Sequence, residues 1–384
     1  MNETWIYKAT VDELTRQLVS YDSVSSRSNE PISDFVAELM QRMGFVVENH
    51  TYLDDEGEKK VSLVAKRGSG TGGVAYLAHT DVVPVDDWHT GFSGPFEAVE
   101  KEGRLYGRGA CDMKGSLAAA LKAVSTISEI NQKKPIYFVV TADEEISMGG
   151  AKQVNRESAF FQEMVDQDVV GVVGEPTELR VVHAHKGAKG LVLRARGISA
   201  HTSTGEGKNA NDQLIPALLP LLELKKESER EARYRNDAFS PSTLSWNMVI
   251  INEPLAVNVT TSLAEVCVFF RTMPGVNHQP LVEALHRIAN EYGLELEEKG
   301  EVAPWSVDAT SPWIVRMGEI VAKDRSETVC FATDGGVLQR LRKLMICGPG
   351  SIDQAHCNNE WISMEQLHRG VSVYEQAFRQ WTHG

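Results

Sequence analysis

The sequence predicts an α/β fold with two domains, and three observations support this. Short apolar runs alternate with helical patterns, which is typical of a sheet covered by helices; the runs lie at 61–65, 74–78, 136–141 and 169–173. The chain has 384 residues, too many for one compact core in most proteins. The residue pattern changes near 182 and changes back near 296. We therefore predict an α/β/α main domain with a central mixed sheet (1–181 and 296–384) and an inserted α+β domain (182–295).

The predicted helices carry apolar residues at spacings of three and four. In the first of them these are Leu14, Leu18 and Val19, and Gly44 is expected to end the second. The helical segments are 9–22, 31–43, 114–129, 149–163, 211–231 and 279–292. In the insertion, the alternating runs LVLRARGIS and AEVCVFFR predict strands with one buried face.

Composition argues against several classes of function. Lys and Arg number 39 against 53 Asp and Glu, a net charge of −14, so neither a nucleic acid nor an anionic membrane surface is an expected partner. The sequence predicts no signal peptide and no membrane span. The five cysteines are scattered and form no C-x-x-C pair, which argues against disulfides and a cysteine zinc site and favours a cytoplasmic location.

Histidine and acidic residues follow the predicted strands. His79 follows 74–78, Glu144 and Glu145 follow 136–141, and Glu175 follows 169–173. Functional groups in α/β sheets gather at the carboxyl ends of the strands, so we expect these side chains to meet. Glu144 and Glu145 can share one site only where the strand has ended, because neighbours on a regular strand face opposite sides.

Two further candidates lie in glycine-rich loops. Asp112 stands in GRGACDMKG and His356 in GPGSIDQAH. Each residue alone has an ordinary interpretation, and Asp112 by itself resembles a helix N-cap. Together, two histidines and three carboxylates form a nitrogen and oxygen ligand set that suits zinc, and cobalt or manganese less selectively. Asp81 lies two residues after His79 and is expected to fix its ring orientation.

The motifs HTDVVP, GRGACDMKG, TADEE, GEPT and QAH closely resemble those of the dinuclear zinc aminoacylase and carboxypeptidase (metallopeptidase) family. Within it, TADEEISMGGA, GEPTELRVVHAHKG and GPGSIDQAH look most like the acetylornithine deacetylases. The resemblance implies a cytoplasmic hydrolase of amino-acid biosynthesis, specifically arginine biosynthesis, that removes the acyl group from a small N-acyl amino acid. It also implies two Zn²⁺ ions and a homodimer.

The resemblance assigns a role to each candidate in the main domain. Asp112 would bridge the two ions, and the Asp112–Met113 peptide would be cis. His79 and Glu175 would bind one ion, and Glu145 and His356 the other. Glu144 would act as the general base and Asp81 would orient His79.

The inserted domain would be a lid through which two chains pair. His201, in ISAHTSTGEGKNAND, would hydrogen-bond the oxyanion in its own or the partner subunit's site. Arg271 and Asn258 would bind the substrate carboxylate, and backbone amides of Gly348 and Gly350 would approach the substrate.

The sequence departs from the family pattern in the lid and near the substrate. Phe269 replaces the usual Asp before Arg271, Thr261 replaces a usual Pro, and 330–338 differs from the T-E-A-P pattern of close acetylornithine deacetylases. These departures leave a desuccinylase of succinyl-diaminopimelate and a dipeptidase or carboxypeptidase as alternatives. A non-catalytic binding module is the alternative from another class, although no metal ligand is missing.

Overall fold

The computed structural model describes residues 5–383, apart from the side chain of Asn131; the outermost positions of the predicted main domain, 1–4 and 384, lie outside the described residues. The α-helices are α1 Trp5–Lys8, α2 Val11–Val19, α3 Glu30–Arg42, α4 Lys114–Ser125, α5 Gly149–Glu157, α6 Ala159–Asp166, α7 Asn211–Arg230, α8 Gln279–Tyr292, α9 Pro312–Val321 and α10 Met364–Thr382. The strands are β1 Val46–Leu53, β2 Lys59–Arg67, β3 Val74–His79, β4 Val99–Lys101, β5 Arg104–Tyr106, β6 Ile136–Thr141, β7 Val170–Pro176, β8 Val182–His185, β9 Ala188–Arg196, β10 Asn247–Glu253, β11 Leu263–Phe270, β12 Glu295–Val302, β13 Trp305–Ser306, β14 Glu327–Val329, β15 Lys343–Gly348 and β16 Trp361–Ser363.

The chain divides into two compact units. The first runs as far as His183 and resumes at Val307–Glu327 and from Thr333 onward. The second consists of Ala184–Ser306 and Thr328–Ala332. The sequence placed the end of the insertion at 295, whereas the second unit continues to Ser306 because β12 pairs with β9.

The first unit is built on a mixed sheet with the strand order β1-β2-β6-β3-β7-β15. Strands β6, β3, β7 and β15 run parallel to one another, whereas β2 is antiparallel to β6 and β1 is antiparallel to β2. All six residues of β3 and of β6 are buried, as expected for central strands with both faces covered. This mixed α/β architecture confirms the predicted fold class.

The core of the first unit lies between this sheet and its helices. Tyr76 of β3 and Phe138 of β6 pack against Tyr374 and Phe378 of α10. Helix α4 is buried along most of its length, because its small residues Gly115, Ser116 and Ala118–Ala120 let it approach the sheet closely. The tight core fixes the strand ends, and the predicted site residues lie at those ends.

The second unit has its own antiparallel sheet and its own core. The strand order is β10-β11-β9-β12, and α7 and α8 pack with buried leucines such as Leu214, Leu221 and Leu285. Strand β10 is an edge strand. Among residues 5–383, no helix combines the length and the apolar character needed to cross a membrane.

Most predicted elements are present, and many of the differences lie at helix ends. Helices α2 and α4 are shorter than the predicted 9–22 and 114–129. The segment 149–163 forms two helices because Ser158 leaves the helical region and caps α6 by accepting the N–H of Phe161. Helix α3 ends at Arg42, one residue earlier than predicted, and Gly44 follows with φ +82°. All five cysteines are free.

Candidate metal centre

The parallel strands of the first unit bring the predicted ligands to one edge of the sheet. His79 is the last residue of β3, Glu175 lies near the end of β7, and Glu145 follows β6. His356 lies in the loop that follows β15, with φ +61°. Because β3, β6, β7 and β15 run in one direction, their carboxyl ends meet.

His79 is held by its own loop. The side chain is 1% exposed, and its Nδ1–H donates to the backbone carbonyl of Asp81 at 3.0 Å. The other ring nitrogen, Nε2, lies 3.1 Å from a carboxylate oxygen of Asp112, to which it can donate a hydrogen bond, and 3.8 Å from one of Glu175. Burial lowers the pKa of His79, but the hydrogen bond with Asp112 and the surrounding carboxylate charges outweigh it and raise the pKa well above its usual value. A cation among these carboxylates would take the place of the Nε2 proton, and the neutral imidazole is the form that binds a metal.

The carboxylate of Asp81 has a different partner from the one expected. Its Oδ1 lies 3.7 Å from Nδ1 of His79, so the histidine is oriented mainly by the backbone carbonyl. The carboxylate instead accepts the N–H of Glu144 at 3.1 Å, the N–H of Glu145 at 3.3 Å and the hydroxyl of Ser25 at 2.7 Å. Asp81 therefore holds the loop that carries both glutamates.

Asp112 lies between the two histidines. One carboxylate oxygen is 3.1 Å from Nε2 of His79 and the other is 3.6 Å from Nε2 of His356. Helix α4 begins at Lys114 with Met113 as its N-cap residue, so the side chain of Asp112 does not cap the helix. The Asp112–Met113 peptide is cis, as the resemblance implied.

Glu145 and His356 form the second side of the site. Oε2 of Glu145 lies 2.9 Å from Nε2 of His356. The other oxygen, Oε1, is buried and has no hydrogen-bond partner among the described residues. A buried carboxylate oxygen without a donor is costly unless a cation binds there.

The ligand atoms lie close enough together for metal binding. His79, Asp112 and Glu145 offer atoms within 4.8 Å of one another, and so do His79, Glu144 and Glu175. Glu144 therefore lies on the side of Glu175, and Glu145 on the side of His356. By distance alone, Glu144 could be either a ligand or a base beside the ligands.

Crowded carboxylates give the site its electrostatic character. Burial, followed by the charge of Asp112, raises the pKa of Glu175 well above its usual value and that of Glu145 to about 7. Burial, followed by the charge of Glu175, does the same to the pKa of Glu144. Burial also raises the pKa of Asp112, but the hydrogen bond with His79 and the charges of His79 and His356 together outweigh it, and the net shift of this pKa is downward. Cations placed among these groups would stabilise their ionised forms, so the residues fit a metal centre.

The site is closed on the sheet side and open at one ligand. The side chains of His79, Glu175, Glu145 and Asp112 are 1%, 6%, 7% and 8% exposed, whereas that of His356 is 55% exposed. A substrate can therefore approach from the side of His356.

The glycines predicted to face the substrate already have partners. The N–H of Gly348 donates to Thr177 Oγ1 at 3.1 Å, and that of Gly350 donates to Gln366 Oε1 at 3.3 Å. An added Cβ at Gly348 would lie 2.1 Å from the carbonyl oxygen of Gly174. Close strand packing accounts for this glycine, and contact of either amide with substrate stays a prediction.

The second unit holds the remaining predicted residues. His201 and Asn258 are neighbours, because His201 pairs with Val259 and the N–H of Thr202 donates to the carbonyl of Asn258. The N–H of Ser203 donates to Nδ1 of exposed His201 at 3.3 Å, so the proton of the neutral ring lies on Nε2. This tautomer can donate a hydrogen bond outward.

Arg271 follows directly after β11. Its guanidinium lies over the ring of Phe269, 5.1 Å from the centroid, so the residue that replaces the usual Asp gives a cation–π contact instead of an ion pair. Its contact with a substrate carboxylate stays a prediction.

Sequence reasoning missed two buried carboxylates near the ligands. Asp334 accepts a hydrogen bond from the hydroxyl of Thr141, and burial raises the pKa of its carboxyl to about 6. Glu360 contacts the loop that carries Asp112. The atypical segment 330–338 was a signal for Asp334, whereas the contacts of Glu360 span about 250 residues and leave no local pattern.

Comparison with known proteins agrees with this geometry. The family model "Peptidase family M20/M25/M40" matches residues 75–380. The chain belongs to this family. It is accordingly a metal-dependent hydrolase that acts on amide bonds.

Two relatives and two solved structures show how far the likeness extends. The acetylornithine deacetylase of Proteus mirabilis is 34% identical, with 92% of each chain covered. That of Pasteurella multocida is 31% identical, with 94% of this chain and 93% of the relative covered. An M20 family metallo-carboxypeptidase from Sulfolobus solfataricus has a TM-score of 0.71 at 17% identity, covering 96% of this chain and 98% of the other. A dinuclear metal-binding M20 peptidase from Bacillus subtilis has a TM-score of 0.60 at 14% identity, with 99% of each chain covered.

Proposed function

We propose that this protein removes the acyl group from an N-acyl amino acid, with N-acetylornithine as the first substrate to test. The observation that carries the proposal is the position of Asp112 between His79 and His356, with Glu175 on one side and Glu145 on the other. Full-length relatives at 31–34% identity are acetylornithine deacetylases, which favours that substrate class.

The donor set fits two zinc ions. His79 and Glu175 would hold one, Glu145 and His356 the other, and Asp112 both. Two Zn²⁺ supply four positive charges against three carboxylates, which leaves a net positive charge to bind an anionic nucleophile. When bound, such ions polarise an acyl carbonyl and lower the pKa of a bound water to about 7.

The protein's own groups would move the protons. Glu144 takes the proton of the attacking water and returns it to the leaving amine. Its backbone is held for this by the carboxylate of Asp81. His201, in its own or the partner subunit's site, would donate its Nε2–H to the oxyanion, and the guanidinium of Arg271 would bind the α-carboxylate of the substrate as a bidentate donor, with Asn258 adding a hydrogen bond.

Substitution of Glu144 distinguishes a base from a ligand. We expect Glu144→Gln to retain two metal equivalents and to lower kcat by ~10²–10⁴-fold, the usual contribution of general base catalysis. Glu145→Gln serves as the matched control. Glu145 is a proposed metal ligand, so replacing it should lower the metal content. Near-normal activity of Glu144→Gln would refute the role of Glu144 as general base. Loss of one metal equivalent would indicate that Glu144 is a metal ligand.

A panel of amides tests the substrate class. Purified protein loaded with zinc would be assayed on N-acetylornithine, N-succinyl-diaminopimelate and several dipeptides. We expect the highest kcat/KM on N-acetylornithine. A preference for the succinylated compound or for dipeptides would transfer the assignment to those enzyme types, and no turnover of any amide would favour a binding module.

We also propose that two copies pair through the second unit. The edge strand β10 exposes Val249, Ile250 and Ile251 by 49%, 51% and 39%, an arrangement that invites pairing with another chain. Light scattering should report a dimer that Val249→Lys with Ile251→Lys dissociates. The control Val315→Lys alters a residue in the first unit that is also 50% exposed, and it should leave the dimer intact. A wild-type monomer would contradict this proposal.

A further inference from the structure

Glu360 is a buried carboxylate whose two oxygens accept four hydrogen bonds. It is 1% exposed. Oε1 accepts the backbone N–H groups of Cys111 at 2.8 Å and Asp112 at 3.0 Å. Oε2 accepts the backbone N–H of Gly109 at 2.9 Å and Nη1 of Arg108 at 2.9 Å. The carboxylate therefore binds the backbone of one proposed ligand directly.

The same residue also belongs to the loop of a second ligand. Glu360 lies four residues after His356 and immediately before β16. Its own carbonyl accepts the N–H of Gly107, and Trp361 pairs with Tyr106 just before the Asp112 loop. Glu360 thus links the loops of Asp112 and His356, which come from distant parts of the chain.

We propose that Glu360 is a positioning residue of the metal centre. By holding the N–H groups of Gly109, Cys111 and Asp112, it sets the direction of the Asp112 carboxylate relative to His356. Both of its oxygens are occupied by these four donors, so its effect is on how well the ligands are organised before the ions bind. Outer partners of this kind contribute about 10–100-fold to metal affinity. The inference rests on the proposed metal site.

A simpler role would be a buried ion pair that only stabilises the fold. Arg108 is 3% exposed and is the one cation that contacts Glu360 among the described residues. However, three of the four donors are neutral backbone N–H groups, and two of them belong to Asp112 and its neighbour. An ion pair alone would not require these contacts.

The substitution Glu360→Gln separates the two roles. An amide has one acceptor oxygen, so whichever oxygen becomes the NH₂ group, two donors lose their acceptor. We expect the dissociation constant for Zn²⁺, measured by calorimetric titration of the apoprotein, to rise about 10–100-fold. The visible spectrum of the Co²⁺-loaded protein should change as well, because that spectrum reports ligand geometry.

Arg108→Met is the matched control. It removes the ion pair but keeps the three backbone hydrogen bonds, so we expect lower thermal stability with Zn²⁺ affinity within threefold of wild type. The double variant Arg108→Met with Glu360→Gln leaves no unpaired charge buried and guards against failure to fold. We expect it to show the same affinity loss as Glu360→Gln.

The outcomes are distinct. Wild-type Zn²⁺ affinity and an unchanged Co²⁺ spectrum in both Gln variants would overturn the positioning role. Equal losses of Zn²⁺ affinity in Arg108→Met and Glu360→Gln would show that Glu360 acts only as the ion-pair partner of Arg108. A wild-type protein that binds fewer than two ions would instead refute the proposed metal site and this inference with it.

Discussion

Lys60 is a buried cation whose removal should destabilise the first unit. Its side chain is 1% exposed, and Nζ lies 3.2 Å from a carboxylate oxygen of both Asp54 and Asp143. The ammonium also donates to the backbone carbonyls of Ser25 at 2.6 Å and Arg27 at 2.8 Å. It therefore joins the loop after α2, the β1–β2 turn and the loop after β6.

The substitution Lys60→Met keeps the length of the side chain and removes its charge. Asp143, whose side chain is 2% exposed, would then keep a buried charge without its cation. Removing one partner of a buried ion pair costs about 3–5 kcal/mol. With a urea m-value of about 3 kcal/mol/M, the unfolding midpoint of the first unit should fall by about 1–1.7 M.

The neighbouring lysine provides the control. Lys59 points to the opposite side of β2, is 45% exposed and pairs with Glu30, which is 41% exposed. Solvent screens such a pair, so Lys59→Met should hardly move the midpoint. Urea titrations followed by fluorescence measure both variants. Equal midpoint shifts for the two substitutions would refute the assignment of Lys60 as a structural cation.

Three further predictions concern packing, pH and metal. Gly348→Ala would bring a Cβ to 2.5 Å from the carbonyl oxygen of Glu175, so we expect about 1–3 kcal/mol of destabilisation; an unchanged melting temperature would contradict this. Burial lowers the pKa of His185 to about 4, so the folded protein favours the neutral ring. The resulting stability is fully present above the unfolded pKa of about 6.5. It is lost as the pH falls from there to 4, at up to about 1.4 kcal/mol per pH unit. His185→Gln should lose stability less steeply over that range in urea titrations, and identical slopes would count against it. Removing metal with a chelator should lower the melting temperature until zinc is returned, since a ligand at 1,000 times its Kd adds about 4 kcal/mol; no change on chelation would argue against a bound ion.

The sequence predicted the fold class because hydrophobic periodicity is a local property. Buried strands β3, β6 and β7 appear as short apolar runs, and the residues after them can be recognised as site candidates without a structure. Strand β1 was missed because its residues are mostly exposed or half-buried, which gives no apolar run. The split of 149–163 into two helices depended on one capping serine.

The nature of the five proposed ligands came from the sequence, since their residue types and motif order are written in it. Their arrangement came only from the tertiary structure. Parallel strand pairing sets which strand ends are adjacent, and the loop before α4, held by Glu360, brings Asp112 between histidines from positions 79 and 356. The contacts of Asp81, Glu360 and Lys60 join segments far apart in the chain, so no local pattern reveals them. Whether a buried carboxylate positions a loop or binds a metal depends on the donors and cations that the fold brings to it.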